Sequence, residues 1–345
     1  MGWFRSYRVL DTYKSSSPFH VIKLITTMGL NTEARAALVF LILYAILFFI
    51  LDFAYLTRRL RLRSRYTVIL FHVTVRLASQ ATGLAFGVVG YNNIKLLVAY
   101  FILGAEGYFT LVLCAYRFLI SWQVHNLACH NSWLEPLHAP GTPTYRKFLD
   151  SFKLFGPRRR PMAVIHNLLI VANTIIIVGG SLITGGAQNS TQFKNLPQAK
   201  GMRTAGQAIF LSMSIFLLYC IYDTIQQSKQ ERKSYNAHPT LYILLAAWPC
   251  LFIRGVYGIL APTVPIFNYF DFSNYGPNGL IDGFVISEYI MGTSMEWTAC
   301  LLLMVTYITS RNDPKKADFA DVQYPDELTV EKDESGRVES GIRRK

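Results

Sequence analysis

The chain has 345 residues, of which 52% are hydrophobic and only 16% charged, with a formal net charge of +13. Soluble domains carry charge on about a quarter of their residues, so this composition argues against an ordinary soluble globule. It also argues against nucleic acid as the reason for the positive balance. The basic residues lie between apolar segments, where a membrane surface accounts for them.

Residues 1–35 are mixed in character, with Pro18 and a serine run at Ser15–Ser17. No cleavable signal peptide is legible there, so the first apolar helix is expected to act as the targeting signal. Met1-Gly2 followed by Ser6 fits the myristoylation pattern, although bulky Trp3 follows the glycine, and Met28 is an alternative start.

Seven apolar stretches follow, each close to or above the ~20 residues that cross a bilayer. They predict helices over Ala36–Leu56, Thr67–Gly90, Ile94–Ile120, Ala163–Gly185, Ala205–Ile225, Leu241–Pro262 and Ile281–Ser310. The expected fold is all-α, a polytopic seven-helix transmembrane bundle over residues 36–310. An N-terminal segment (1–35) precedes it and a polar, disordered tail (311–345) follows.

Loop charge predicts the orientation. One set of loops holds Arg58, Arg59, Arg61, Arg63 and Arg65, then Arg146, Lys147, Lys153 and Arg158–Arg160, then Lys229, Arg232 and Lys233. The alternate loops hold only Lys95, Lys194, Lys200 and Arg203. The positive-inside rule therefore places the first set in the cytoplasm, the N-terminus outside and the C-terminus inside. Asn189-Ser190-Thr191 is a glycosylation sequon in a loop that this orientation puts outside. The segment Thr263–Leu280 lacks Lys and Arg but holds Phe267, Tyr269, Phe270, Phe272 and Tyr275. Two readings stand for it: an aromatic belt at the membrane interface, or a lid over a cavity.

Ionisable groups inside the apolar stretches are the candidate functional residues, because a charge at bilayer depth is costly unless neutralised. The last stretch carries Glu288 and Glu296, the sixth Arg254 and Tyr257, and the third Glu106. The second shows His72, Arg76 and Gln80 at a spacing of four, one polar stripe on a helix. Depth counted along the helices pairs Arg254 with Glu288. It pairs Arg76 with Glu106, Glu296 being a competing partner for Arg76. Gly104, Gly107 and Gly292 allow close helix approach beside these charges. Such a network either locks the bundle or forms a polar site.

Several chemistries are argued down. The last stretch has no Lys for a retinal Schiff base, and there is no HExxH, Walker A loop or GxSxG elbow. No enzyme activity and no cofactor are expected. His125, Cys129, His130, Glu135 and His138 cluster after the third stretch, but their spacing matches no standard zinc finger, so no metal site is assigned. Cys114, Cys220, Cys250 and Cys300 lie in apolar stretches and read as small packed hydrophobes. Pro249 after Trp248 is a candidate kink in the sixth helix.

The stretches FIRGVYGIL (Phe252–Leu260), FNYFDFSNYGPNGL (Phe267–Leu280) and SEYIMGTSMEW (Ser287–Trp297) resemble the fungal seven-helix proteins labelled G-protein-coupled-receptor-like, including a family-C-like group. A looser likeness is to the fungal lipid-translocating exporter family, which also carries Arg and Glu in its last helices. The resemblance implies a seven-helix receptor and, through the label and helix count, coupling to a G protein. The departures are specific. The N-terminal segment is too short for a family-C ligand module. Tyr116-Arg117-Phe118 replaces the acidic-Arg-aromatic triplet of rhodopsin-like receptors, and the last helix has no NPxxY.

The expectation is thus a multi-pass receptor or sensor of the plasma membrane or an endomembrane, with a polar pocket toward the outer leaflet. Its partners would be the lipid bilayer, an unidentified ligand and a cytoplasmic signalling partner at the basic loops. The alternative is a lipid or small-molecule transporter using the same buried charges.

Overall fold

A computed structural model describes residues 31–61, 64–127, 131–136, 161–184, 192–232, 238–269, 271–276 and 279–310. Residues 1–30 of the predicted N-terminal segment, the tail after Ser310, the Asn189 sequon, Cys129, His130, His138 and the basic residues of 146–160 lie outside them, while residues 31–35 cap and begin the first helix.

The helices are α1 (Thr32–Leu56), α2 (Tyr66–Val89), α3 (Ile94–Asn126), α4 (Pro161–Thr184), α5 (Gln192–Arg232) and α6 (Pro239–Thr263). The last predicted helix is continuous but composite: α7 (Asp282–Ser287), a π-helical segment (Glu288–Ser294) and α8 (Met295–Thr309). Among the described residues, α1 to α6 are long and apolar enough to cross a membrane. Phe49, Phe53, Leu56 and Ile308 are 63–74% exposed on the outside of the bundle. Apolar surface of that extent belongs against lipid, so the chain is a multi-pass membrane protein.

Local signals explain the helix starts. The Asn31 side chain accepts from the Ala34 backbone N–H at 2.8 Å and caps α1. Pro161 and Pro239 open α4 and α6, where a missing N–H costs nothing. Helix α5 extends well beyond the predicted Ala205–Ile225 at both ends. Hydropathy registers only its apolar middle, while the backbone hydrogen-bond ladder continues through polar turns. Lys200 and Arg203 are accordingly helix residues rather than loop residues.

Consecutive helices lie side by side, α1 on α2, α2 on α3, α4 on α5, α5 on α6 and α6 on α8. Helix α3 runs through the middle and touches α2, α4, α5, α6 and α8. Its buried face carries Tyr108, Leu111, Val112, Ala115, Leu119 and Trp122, all 2% exposed or less.

One end of the bundle is covered by the α6–α7 connection. Strands β1 (Tyr275–Gly276) and β2 (Gly279–Leu280) pair antiparallel there, Tyr275 opposite Leu280. Gly279 has φ +134° and lies against the start of α1; a Cβ on it would stand 2.9 Å from Asn31 Nδ2. Asn274 donates from Nδ2 to the carbonyls of Pro265 (2.7 Å) and Asn268 (2.9 Å). Tyr269 is turned inward, its ring centroid 4.2 Å from that of Phe101 and 4.9 Å from that of Phe284. The connection therefore folds across the bundle as a cap, the second of the two sequence readings, with Ile266 left facing outward at 55% exposure. The Ser273 backbone N–H donates to Asp271 in this cap and holds its carboxyl below the usual carboxylate range.

The opposite end is sealed by the chain after α3. Leu134 is fully buried, and its carbonyl accepts from the Met162 N–H at 3.0 Å. Ser132 donates to Gln123 Oε1 at 2.5 Å, and Gln123 Nε2 donates to Thr224 Oγ1 at 2.7 Å, tying this segment to α3 and α5. The Trp122 indole donates to His238 Nδ1 at 3.2 Å, which adds α6. Glu135 meets Arg117 at 2.6 Å.

Candidate functional site

The side chains of the buried charges follow from helix direction. In an α-helix each Cβ tilts toward the N-terminus. Helices α2 and α6 run toward the capped end, so Arg76 and Arg254 lean away from the cap. Helix α8 runs from the cap, so Glu296 leans toward it. The three meet: Glu296 Oε2 is 2.9 Å from Arg76 Nε, and Glu296 Oε1 accepts from Arg254 Nε at 2.5 Å. One carboxylate thus bridges two guanidiniums from different helices. All three residues are withdrawn from the surface, Arg76 at 3% exposure and Glu296 at 1%.

Two of the depth-based pairings are corrected by this geometry. Arg254 pairs with Glu296 and not with Glu288, because depth counted at Cα omits the opposite lean of the two side chains. Arg76 does not pair with Glu106. On α3 it is Gly107 that faces Arg76, and one residue along a helix turns the side chain by about 100°. Glu106 faces α4 instead, where Asn173 Nδ2 donates to its Oε1 at 2.6 Å. The competing Arg76–Glu296 pairing is the one present.

Aromatic rings complete the cage. The Arg76 guanidinium carbon is 5.9 Å from the centre of the Tyr44 ring. That of Arg254 is 5.2 Å from Tyr108 and 5.9 Å from Tyr257. These contacts stabilise a cation that is withdrawn from bulk water. The π-helical segment sits at this level; such segments carry one more residue per turn than an α-helix and occur often at functional sites.

The rest of the polar stripe on α2 makes local contacts, although His72 Nε2 and Gln80 Nε2 are buried without a hydrogen-bond partner. His72 Nδ1 is 2.9 Å from Thr110 Oγ1, and the Tyr289 hydroxyl donates to Gln80 Oε1 at 3.2 Å. Both residues are fully buried.

Glu288 has a different environment. It is 8% exposed, and its Oε1 accepts from the Tyr100 hydroxyl at 2.9 Å. Between it and the bridged arginines lies a cavity of about 40 Å³, room for roughly three waters. Arg76, Arg254, Arg203, Tyr257, Tyr269 and Glu288 are among the lining residues. Gly104 and Gly292 also border it, leaving its wall open where a side chain would fill it. No residue from the distal half of α3 or from α8 lines the cavity, so it closes toward the end remote from the cap.

No protein-family model, no characterised protein and no solved structure matches the chain.

Of the residues singled out from sequence, Arg254, Tyr257, Glu288, Glu296 and Arg76 surround or floor one cavity. His72 and Gln80 lie on the same α2 stripe without lining it, and Glu106 belongs to a separate contact with α4. Arg203 was missed as a site residue, being counted among loop charges. Its guanidinium carbon is 5.4 Å from the Tyr269 ring centre. The signal available was its spacing of four from Gln207, which places both on one face of a helix reaching further back. Glu33 was missed too; it is 1% exposed in the first turn of α1. Among the described residues no cluster of metal-ligating side chains is present.

The Tyr100–Glu288 contact gives a modest prediction. Tyr100→Phe should leave the fold intact and lower the unfolding free energy by about 1 kcal/mol, the net value of a typical hydrogen bond. Thermal unfolding of the purified protein checks it; an unchanged midpoint removes the contact from the site.

Proposed function

We propose that this chain is a membrane receptor or sensor that crosses the bilayer seven times, with its N-terminus outside. Its ligand enters the cavity under the Phe267–Leu280 cap. The observation that carries the reading is the placement of the doubly shared Glu296 directly beneath that cavity. A ligand that draws on Arg254 weakens its hold on Glu296, and the change passes to Arg76 on α2 and to α8 at once. Three helices thus respond to one local charge event, which is the coupling a switch requires. The sealed far end favours a receptor over a transporter, whose path has to reach both faces. The cytoplasmic partner would meet the basic loops, and the resemblance to fungal receptor-like proteins adds a G protein as the first candidate.

The test compares cells with and without the gene for second-messenger response and for uptake of a fluorescent phospholipid. The receptor reading expects an altered second-messenger response with lipid uptake unchanged. Loss of lipid uptake with the second messenger unaffected would overturn it in favour of a translocator.

A further inference from the structure

We propose that the turn between α1 and α2 is a binding site for a phospholipid headgroup bearing phosphomonoester groups, held by Arg58, Arg59 and Arg61. The proposal goes beyond the receptor reading and does not depend on it.

The turn lies at the end of the bundle remote from the cap, because α1 starts beside the Gly279 hairpin and runs away from it. It is tightly built. The Arg58 and Leu60 backbone N–H groups donate to the carbonyls of Tyr55 (3.0 Å) and Ala54 (3.1 Å), so the chain wraps over the last turn of α1. Leu60 packs on the main core, and the Ser64 N–H closes a second turn on the Arg61 carbonyl at 2.8 Å. The Tyr55 hydroxyl sits 3.3 Å from Ser64 Oγ and 2.8 Å from Thr67 Oγ1, which ties the end of α1 to the start of α2.

Arg58, Arg59 and Arg61 are left exposed, and none of them forms an ion pair among the described residues. Arg65, by contrast, turns in: it donates to Ser310 Oγ at 2.5 Å and lies over the Tyr66 and Phe118 rings. Of the described acids at this end, Glu135 is taken by Arg117. Asp223 and Glu231 stand on α5, which packs on α3, α4 and α6. Asp52 lies more than one helical turn back along α1. Backbone strain supports the assignment. Arg58 has φ +54°, a left-handed conformation that glycine adopts at little cost, and it is the one non-glycine residue with positive φ among the described residues. Strain kept at such a position points to a role for the side chain.

The surroundings name the occupant. Phe49, Phe53 and Leu56, 63–74% exposed, lie on the last turns of α1 and face acyl chains. The arginines that follow within about one turn therefore stand at headgroup level, where basic clusters attract anionic lipid. Cations this close together favour several negative charges on one molecule. A phosphomonoester carries about −1.5 to −2 at neutral pH, more than the single net charge of phosphatidylserine. A guanidinium also matches phosphate oxygens in a planar two-point contact.

The experiment adds short-chain phosphatidylinositol bisphosphate, phosphatidylserine or phosphatidylcholine to the purified full-length protein in neutral detergent and measures bound lipid by native mass spectrometry. The bisphosphate is expected to bind about ten-fold more tightly than phosphatidylserine, and phosphatidylcholine more weakly than either. Arg59→Gln and Arg61→Gln should each weaken the bisphosphate about five-fold. Arg58→Gly should weaken it as much while raising the thermal unfolding midpoint without added lipid, because glycine removes the strain. A merely structural role for Arg58 would lower both together and count against the site. A monodisperse size-exclusion profile is required of each variant.

Equal binding of phosphatidylserine and the bisphosphate, or parent-like binding by the variant with all three arginines replaced, would overturn the proposal. So would equal binding of inositol trisphosphate, a headgroup without acyl chains, which would make the occupant a soluble phosphate. A full-length chain that binds none of the lipids would overturn it too, and would make the acidic run between Asp326 and Glu334 of the same chain the next candidate occupant.

Discussion

Glu296→Gln should lower the unfolding midpoint of the purified protein by about 10 °C, more than any other single neutralisation in the bundle. The wild-type carboxylate compensates two buried guanidiniums at 2.9 and 2.5 Å. A neutral amide of the same shape leaves both cations buried without this counter-ion, facing one another. Breaking a buried ion pair in this way costs about 3–5 kcal/mol, because the surviving charge has nothing to offset its lost hydration. Glu288→Gln is the matched control, since its carboxylate receives a single hydroxyl and bridges no cations. It should cost less than half as much. Combining Glu296→Gln with Arg76→Gln and Arg254→Gln removes all three charges and should recover much of the loss. The departure from additivity measures the coupling. Equal midpoints for Glu296→Gln and Glu288→Gln would end the shared-carboxylate account.

Gly107→Ala is the second large effect, and it comes from one methyl group. A Cβ at this position would lie 2.6 Å from Arg76 Cδ and 2.9 Å from Glu296 Oε2, well inside contact distance. Neither neighbour can retreat, because Arg76 and Glu296 hold each other and are both almost fully buried. Overpacking of this kind costs about 1–3 kcal/mol. The variant is expected to melt about 5 °C lower than the parent. Gly283→Ala is the contrast: a Cβ there meets nothing within 4 Å, so better helix propensity should make the change neutral or slightly stabilising. In an Arg76→Ala background the Gly107 methyl gains room, and its penalty should shrink. A Gly107→Ala protein that melts with the parent would show that α3 does not press on the ion pair.

Much of the architecture was legible in the residues. Six helices stand within a few residues of the apolar runs that announced them, apart from the polar extensions of α3 and α5. This works because a chain in lipid has to satisfy every backbone N–H and C=O internally, so an apolar run of sufficient length has few alternatives to a helix. The acids and arginines that matter were also visible, since few ionisable groups interrupt those runs. The cap was half legible: its aromatic residues were plain, but whether they face lipid or the bundle depends on neighbours distant in the sequence. Arg203 escaped because a hydropathy reading ends where polarity begins, although the helix does not.

Composition and apolar spacing by themselves determined that this is a helical, membrane-embedded bundle carrying buried charge. Only the tertiary structure decided which charges meet. Depth along a helix is a count of residues, and a sequence supplies it directly. Azimuth and lean depend on how each helix is turned against its neighbours, which no single segment encodes. Glu106 and Gly107 are adjacent, yet one faces α4 and the other Arg76. That single-residue difference moved the counter-ion of Arg76 from α3 to Glu296 of α8, and with it placed the floor of the cavity.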